Sequence, residues 1–492
     1  MATEIPTPTS AYELHTWSDE VDVLVVGAGM GGASAALEAA AAGSRVLVID
    51  RGGRLTCTTA MAGGHFYLGG GTPLQEAAGF DDSPEEMAKY LRAMSPECAP
   101  EKIEAYCEGS VEHFHWLESL GFSFERSYYP GKAVVQPATE GLMYTGNEKC
   151  WPFNQYAEPA PRGHKPPIAG DTGGAAFVLD LALARLDDLG VEVRYDTAAT
   201  GLVVGSDGDV TGVTWKSFGQ SGAIRARAVV LAAGGFVLNS EMVSAYAPRL
   251  TALMSKGMPL GNSYDDGLGI RLGESVGGVA EHMDGAFFTS PFYPPEELLK
   301  GIVVNKHGER FVNEDSYHGR VASFVFDQPD QIAYLILDSE TMDRPHYGFQ
   351  SLVDGWETLE EMEEGLGIPA GALARTMADY NASAGSGVDP AFGKAAEFVV
   401  PLDTPPYGAY DLTPGKAFYS GFTMGGLRVT VDGQLLSTDG STIPGAYAVG
   451  ACASNIAYDG AGYSSGTQLG EASFFGRRAG RHAAKAAAAT VV

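Results

Sequence analysis

The chain has 492 residues, 45% of them hydrophobic, which is enough to bury a large core and predicts two or more domains. Its formal net charge of −29 argues against nucleic acid and anionic lipid as partners, although solubility or a salt-tolerant host accounts for the same charge. Five scattered cysteines without a CxxC pair argue against a disulfide framework and a zinc site, so we expect no metal and a reducing compartment.

The longest apolar run, residues 21–42, is interrupted by glycines and predicts a strand, a turn and a helix rather than a membrane span. The strand is the β-branched run Val21–Val26, and a second apolar strand, Arg45–Ile49, follows the alanine-rich helix. The acidic N-terminus lacks the apolar core of a signal peptide. We therefore expect a cytoplasmic protein with no integral membrane association.

The turn between this strand and helix carries Gly27, Gly29 and Gly32 in GxGxxG spacing. The first glycine permits a tight turn, the second lets the backbone approach a pyrophosphate, and the third lets the helix pack closely. The helix N-terminus favours phosphate charge, and Asp50, about twenty residues on, can accept a hydrogen bond from a ribose hydroxyl. The unit predicts a dinucleotide site that suits NAD or FAD.

Three further glycine-rich segments favour FAD over NAD. They are TTAMAGGHFYLGGG (Thr58–Gly71), AVVLAAGGF (Ala228–Phe236) and IPGAYAVGACAS (Ile443–Ser454). The first suits a backbone lying along an extended cofactor, and the other two predict buried strands that end at the same ligand. One long cofactor accounts for these strand ends together with the opening motif.

The remaining pattern predicts helices over Pro84–Gly121 and Gly174–Leu189, the second followed by a strand–turn–strand meander. Between Gly278 and Tyr407 the composition changes to prolines and short helical stretches. The chain closes on GYSSGTQLGEASFFGRRAG (Gly462–Gly480), a glycine-rich turn that leads into a helix.

Taken together, these motifs resemble the flavoprotein subunit family of succinate dehydrogenase and fumarate reductase, which also contains the 3-ketosteroid dehydrogenases. The resemblance runs from about Val21 to Gly480. Besides the Asp50 strand and the closing segment, it rests on MAGG (Met61–Gly64), SYDDGLGI (Ser263–Ile270), GERFVNED (Gly308–Asp315) and FTMGGLRV (Phe422–Val429).

The resemblance implies an α/β fold: a Rossmann-like FAD-binding domain in two parts, residues 1–277 and 408–492, with an inserted α+β catalytic cap at 278–407. The substrate would bind in the cleft between them, and the closing helix would direct backbone donors near Gln468 and Leu469 at the flavin. The predicted FAD-binding residues are Gly27, Gly29, Met30, Gly31, Gly32, Asp50, Arg51, Thr58, Thr59, Ala62, Gly63, Gly64, Ala233, Gly234, Asp266, Gly450, Gln468 and Leu469.

The chain departs from fumarate reductases wherever those enzymes use cations to hold a dicarboxylate. The corresponding segments read YSGF (Tyr419–Phe422), DSYHGR (Asp315–Arg320) and GYSSG. Burying an uncompensated carboxylate costs several kcal/mol, so a dicarboxylate substrate is disfavoured. Arg320 is the residue that could restore that function, and His318 is a lesser candidate.

The resemblance instead places Tyr317, Tyr463 and Ser465 where ketosteroid dehydrogenases carry catalytic hydroxyls, which suit a neutral apolar ketone. Tyr463 and backbone donors near Gly466 would polarise the carbonyl, Tyr317 would act as base, and Ser465 would relay the proton. The two tyrosines could exchange roles. Aromatic residues expected near the cleft are Phe66, Tyr67, Phe287, Phe288, Phe292 and Tyr293.

Because two serines follow the late tyrosine, the pattern looks most like enzymes that introduce the 4,5 double bond into 5α-3-ketosteroids, with hydride transfer from carbon 5 to flavin N5. The alternatives are a 3-ketosteroid 1-dehydrogenase, a fumarate- or enoate-type reductase, and a non-catalytic flavin-binding or interaction protein. We expect a steroid substrate and an external electron acceptor. We also expect non-covalent FAD, since no histidine lies within Cys57–Gly64 to tether it, although His65 follows directly.

Overall fold

A computed structural model describes residues 4–489 of the protein. Its strands are β1 (Thr9–Ser10), β2 (Asp19–Val26), β3 (Val46–Ile49), β4 (Phe66–Tyr67), β5 (Leu142–Met143), β6 (Gly163–His164), β7 (Glu192–Arg194), β8 (Ala198–Val204), β9 (Val210–Ser217), β10 (Gln220–Leu231), β11 (Met258–Pro259), β12 (Ala280–Glu281), β13 (Ala286–Thr289), β14 (Ile302–Asn305), β15 (Ala333–Leu337), β16 (Ser351–Trp356), β17 (Tyr407–Asp411), β18 (Ser420–Thr423), β19 (Gly426–Leu427), β20 (Gln434–Leu436) and β21 (Thr442–Ala448). Its helices are α1 (Met30–Ala41), α2 (Thr58–Met61), α3 (Pro73–Ala77), α4 (Pro84–Met94), α5 (Pro100–Ser119), α6 (Gly174–Asp188), α7 (Ser240–Tyr246), α8 (Thr251–Lys256), α9 (Leu268–Ser275), α10 (His318–Phe326), α11 (Leu359–Leu366), α12 (Ala372–Ala384) and α13 (Thr467–Ala489).

The largest sheet confirms the predicted α/β class and brings the predicted strand ends together. Strands β3, β2, β10 and β21 are neighbours and run parallel. Val26 pairs with Ile49 on one side and with Leu231 on the other, and Leu231 pairs in turn with Ala448. Since parallel strands end at the same edge, the loops after β2, β3, β10 and β21 meet there.

Both faces of this sheet are covered, as the near-continuous apolar strands predict. In β2, Val23 and Val25 face the core that contains α1, α6 and α13, whereas Leu24 and Val26 face the opposite core. The meander predicted after α6 is confirmed: β8, β9 and β10 pair antiparallel. The helical prediction over Pro84–Gly121 is confirmed as α4 and α5.

The closing helix α13 packs lengthwise against α1. A Cβ atom at Gly476 or Gly480 would overlap the backbone carbonyl of Gly31 or Ala35 in α1, so glycine is needed for this close approach. The pair carries the first and last predicted motifs to the same edge of the sheet.

A smaller antiparallel sheet, ordered β14-β15-β17-β16, packs against α11 and α12 around its own apolar core. Strand β17 begins at Tyr407, which lies at the predicted end of the inserted segment. Strand β13 pairs with β18 and so connects this segment to the chain that follows it. The domain boundaries at 277/278 and 407/408 stay predictions.

Among residues 4–489, no helix combines the length and apolar character that a membrane crossing requires. The same residues contain no group of three or more His, Cys, Asp and Glu side chains placed to hold a metal ion. The five cysteines are free thiols.

Candidate active site

A cavity of about 510 Å³ opens at the edge where the parallel strands end. It is lined by both parts of the predicted flavin domain and by the segment between β13 and β17. Of the predicted FAD-binding and catalytic residues, the structure places all except Gly32 on its wall: Gly27, Gly29, Met30, Gly31, Asp50, Arg51, Thr58, Thr59, Ala62, Gly63, Gly64, Ala233, Gly234, Asp266, Gly450, Gln468, Leu469, Tyr317, Tyr463 and Ser465.

The three glycines of the first motif have separate tasks. Gly27 has φ +109°, and its Cβ would overlap the carbonyl of Ala232. A Cβ at Gly32 would overlap the carbonyl of Gly27, so Gly32 serves the packing of α1 rather than the cavity wall. Gly29 has an ordinary φ of −68°, and a Cβ there would have one protein atom within 4 Å, Thr59 Oγ1 at 3.3 Å. The space beside Gly29 therefore belongs to the cavity.

Asp50 is held at the end of β3 as the sequence predicts. Its carboxylate accepts hydrogen bonds from the amides of Ala28 at 2.6 Å and Gly52 at 2.7 Å. Burial raises the pKa of Asp50, while these two amides act in the opposite direction. The remaining lone pairs of this carboxylate suit a ribose hydroxyl.

The neighbouring acids Asp265 and Asp266 have different partners. Asp266 forms an ion pair with Arg51 at 2.7 Å. Asp265 accepts from the Thr58 hydroxyl and from the amide of Asn262, and burial raises its pKa to about 6. Asp265 also lines the cavity, although only Asp266 of this pair was among the predicted FAD-binding residues.

The N-terminus of α13 supplies the opposite end of the cavity. The helix begins at Thr467, and Gly466, with φ +101°, makes the turn that the glycine-rich sequence predicts. Gly466, Gln468 and Leu469 all line the cavity. Backbone amides at a helix N-terminus stabilise negative charge, which suits the flavin ring system as it gains electrons.

The three predicted catalytic side chains meet at this end of the cavity. The Tyr317 hydroxyl donates to Ser465 Oγ at 3.2 Å, although the two residues are 148 positions apart. The ring centroids of Tyr317 and Tyr463 are 6.2 Å apart. Tyr317 and Tyr463 are both buried, so their hydroxyls lie in a medium where unpaired charge is costly.

The two phenols differ in their electrostatic surroundings. Burial raises the pKa of Tyr317 well above its usual value, and its bond to Ser465 offsets this only in part. Burial also raises the pKa of Tyr463, to about 12, but the Thr467 hydroxyl and the amides of Gln468 and Gly466 limit that rise. Tyr463 is therefore the phenol better placed beside backbone donors.

The wall beside these hydroxyls is apolar and aromatic. Phe287 stacks on Phe422 with centroids 4.7 Å apart and lies 4.6 Å from the ring of Tyr463. Val134, Val135, Pro291, Tyr347 and Phe349 line the same cavity. A flat, largely apolar molecule with one polar end fits such a wall.

The structure corrects the expected aromatic set. Of the six aromatic residues expected near the cleft, Phe287 lines the cavity, while Phe66, Tyr67, Phe288, Phe292 and Tyr293 are buried in the core. The wall residues of the two irregular segments around 134 and 347 were not predicted from the sequence. Neither segment carries a motif, because apolar side chains on irregular loops show no periodicity.

Arg320 does not line the cavity. Its guanidinium lies over the rings of Phe153 and Phe324, at 4.9 and 4.8 Å, and donates to the carbonyl of Ala461 at 3.3 Å. His318 does line it, but burial lowers the pKa of His318 to about 3, so the imidazole is neutral at pH 7. Neither of these two candidates therefore presents a positive charge to the cavity at pH 7.

The residues present fit FAD. The empty side of Gly29 leaves room for a pyrophosphate at the start of α1, Asp50 can accept from a ribose, and α13 presents amides at the other end. Between these points the wall includes the small residues Thr58, Thr59, Ala62, Gly63 and Gly64. The spacing of these groups along one cavity suits an extended dinucleotide.

The comparison with known proteins agrees with this geometry. Residues 22–469 match the model of the FAD binding domain family, and the chain belongs to that family of FAD-dependent oxidoreductases. The chain is thus a flavoprotein enzyme with the fold of the succinate dehydrogenase and fumarate reductase flavoprotein family.

Among solved structures, the chain is similar to 3-ketosteroid-Δ4-(5α)-dehydrogenase from Rhodococcus jostii RHA1, in complex with 4-androstene-3,17-dione. The identity is 40%, the TM-score is 0.91, and the match covers 97% of this chain and 100% of that chain. The 3-oxo-5-alpha-steroid 4-dehydrogenase of Comamonas testosteroni is 28% identical over 90% of this chain and 94% of its own length. A probable fumarate reductase of Shewanella frigidimarina (strain NCIMB 400) is 27% identical over 95% of this chain and 75% of its own length.

Proposed function

We propose that the protein is a 3-ketosteroid dehydrogenase that oxidises a 5α-3-ketosteroid to the 4-ene-3-ketosteroid with non-covalent FAD. The observation that carries the proposal is the Tyr317–Ser465 hydrogen bond at the apolar end of the flavin cavity, with Tyr463 beside it. The similarity to two enzymes named as 5α-steroid 4-dehydrogenases supports the choice of substrate.

The chemistry removes a proton from carbon 4 and a hydride from carbon 5, so the steroid loses two electrons. Bound FAD supplies the acceptor for that hydride. A C–H bond beside a ketone is only weakly acidic, so the protein must polarise the carbonyl while a base takes the proton. Tyr463 and the amides near Gly466 are assigned to the carbonyl oxygen.

The proton is assigned to Ser465 and Tyr317. Ser465 Oγ takes the carbon-4 proton while passing its own proton to the ionised phenol of Tyr317, so charge and atoms balance. The negative charge moves from the phenolate to the enolate oxygen, where Tyr463 donates a hydrogen bond. The pKa of Tyr317 is raised by burial, so the reactive phenolate is a minor form at neutral pH.

The alternative fumarate-type activity needs a cation at the substrate carboxylate. Arg320, the residue that could have supplied it, is held between two phenyl rings away from the cavity. The remaining alternative is a 3-ketosteroid 1-dehydrogenase, which introduces its double bond between carbons 1 and 2 beside the same ketone. The position of the double bond in the product distinguishes the two activities.

His65 bears on how the flavin is held. It lines the cavity, and its Nε2 lies 2.5 Å from Gln136 Oε1. That nitrogen therefore already has a hydrogen-bond partner within the protein. We propose that FAD is bound without a covalent link, so acid precipitation should release its colour into the supernatant, and colour in the pellet would contradict this.

The test is anaerobic reduction of the bound flavin by three candidate substrates. We expect 5α-androstane-3,17-dione to bleach the flavin and to yield the 4-ene product by mass spectrometry and chromatography against standards. A 1-ene product, or bleaching by 4-androstene-3,17-dione, would identify a 1-dehydrogenase instead. Bleaching by succinate alone would overturn the steroid assignment.

A further inference from the structure

Tyr317 and Ser465 belong to different parts of the fold, and their hydrogen bond is long. The 3.2 Å separation exceeds the usual 2.7–2.8 Å of an O–H···O bond, so a small shift of either residue breaks it. Tyr317 precedes α10, whereas Ser465 precedes α13. Contacts with other residues must therefore set the distance between the Tyr317 and Ser465 hydroxyls.

One loop, residues 145–148, contacts both partners. Thr145 forms a reciprocal pair with Ser465: its carbonyl accepts from the Ser465 amide, and its hydroxyl donates to the Ser465 carbonyl, both at 2.9 Å. Two residues on, Asn147 Oδ1 accepts from the amide of Tyr317 at 2.8 Å. The loop therefore acts as a template that fixes both backbones.

The template loop is itself held by Tyr90 of α4. The amide of Asn147 donates to Tyr90 Oη at 2.8 Å, and the same oxygen lies 2.9 Å from Ser464 Oγ. Because Tyr90 Oη already accepts from an amide, its own proton is available for Ser464. Tyr90, Asn147 and Ser464 are at most 1% exposed, so water cannot replace these bonds.

The side chains of Tyr90 and Ser464 pack tightly against the backbone of Gly146. A Cβ at Gly146 would lie 2.6 Å from Tyr90 Oη and would overlap Ser464 Oγ. Gly146 therefore allows the phenol, the serine and the loop to meet at this distance. The hydrogen bonds thus form a closed cycle. It runs from the Tyr317 amide through Asn147, Tyr90 and the Ser464–Ser465 turn back to the Tyr317 hydroxyl.

We infer that Tyr90 is a positioning residue, which clamps the loop 145–148 against Ser464 and thereby sets the distance between Tyr317 and Ser465. The inference rests on the proposed function, because it assumes that this pair moves the proton. Tyr90 does not line the cavity, so its hydroxyl acts through the loop and not on the substrate.

The test is a Tyr90→Phe variant, alone and combined with Ser465→Ala, assayed with FAD-loaded protein and 5α-androstane-3,17-dione. Tyr90→Phe should slow flavin reduction about tenfold with KM and flavin content unchanged, as expected when one aligning contact is lost. In the Ser465→Ala background the same change should lower the rate of flavin reduction less than about twofold, since the contact it positions is already gone.

The matched control is Tyr106→Phe, which removes the hydroxyl of another fully buried tyrosine of the same core, bonded to the Tyr67 carbonyl. It should leave the rate within about twofold.

Each contrary outcome has a distinct meaning. A Tyr90→Phe protein that reduces at the parent rate, or a loss that multiplies fully with Ser465→Ala, overturns the positioning role while leaving the proposed chemistry intact. Parent-rate reduction by Ser465→Ala overturns the proposed chemistry and the positioning role with it. If Tyr90→Phe does not yield flavin-loaded protein, Thr145→Val removes the donor to the Ser465 carbonyl at nearly constant volume and should show the same dependence on Ser465.

Discussion

Removing single hydroxyl groups tests the proposed roles of Tyr317 and Tyr463. Tyr317→Phe and Tyr463→Phe keep the ring packing and delete one hydroxyl each, so each should lower turnover roughly a hundredfold while FAD stays bound. The control is Tyr419→Phe, because Tyr419 is equally buried, donates to the Leu412 carbonyl and does not line the cavity. Flavin reduction measured by stopped-flow absorbance checks this. If both active-site variants match the parent rate, the assignment is wrong.

In the proposed mechanism, the protonation state of Tyr317 determines how the rate of flavin reduction depends on pH. Its pKa in the folded protein is raised well above the usual value by burial, so the phenolate fraction grows with pH throughout the neutral and alkaline range. The rate of flavin reduction should rise about tenfold for each pH unit between pH 6 and 9 if proton removal limits it. Tyr463→Phe should keep this slope, whereas Tyr317→Phe should flatten it. A parent profile that levels off below pH 8 would contradict the role of Tyr317 as base.

At the scale of elements, we expect the turn between β2 and α1 to determine cofactor binding. Gly29→Val places a side chain in the space beside α1 where the pyrophosphate is expected, so the purified variant should contain little or no FAD. The control is Gly53→Val, because a Cβ at Gly53 has similar surroundings, Thr56 Oγ1 at 3.4 Å, but Gly53 does not line the cavity. The ratio of flavin to protein absorbance measures the outcome, and circular dichroism confirms the fold. Full flavin content in Gly29→Val would refute the placement of the cofactor.

At the scale of the whole molecule, the cavity lies between two parts of the chain. Phe287, Tyr317 and Tyr347 come from the predicted cap, residues 278–407, and the opposite wall comes from the flavin-binding part. A bulky flat substrate has to enter between them, so we expect the cap to move relative to the flavin part and to close on the steroid. Hydrogen exchange in β13 and β18, which join the two parts, should slow when the steroid binds.

Residues 23–26 of β2 and strand β3 provide the internal control for that measurement, because they are buried and should exchange equally with and without the steroid. Identical exchange in β13 and β18 under both conditions would argue against cap movement.

The sequence by itself determined the flavin-binding unit. The strand, the glycines, the helix and Asp50 are each specified by residues within a few positions of one another, and backbone sterics and hydrophobic periodicity act over that same range. It also determined that Tyr317, Tyr463 and Ser465 were the hydroxyls to consider, because their motifs resemble those of a family whose fold is shared over nearly the whole chain.

Only the tertiary structure decided which side chains reach the cavity. Phe287 lines it and the neighbouring Phe288 is in the core, because successive residues of β13 face opposite sides of the sheet and burial on both sides hides that alternation in the sequence. Arg320 is turned away by contacts with Phe153, a residue far off along the chain. The contacts of Tyr90 and Asn147 with the predicted catalytic segments likewise join distant positions. No local pattern encodes them, since a hydrogen bond across 170 residues depends on the packing of the whole fold.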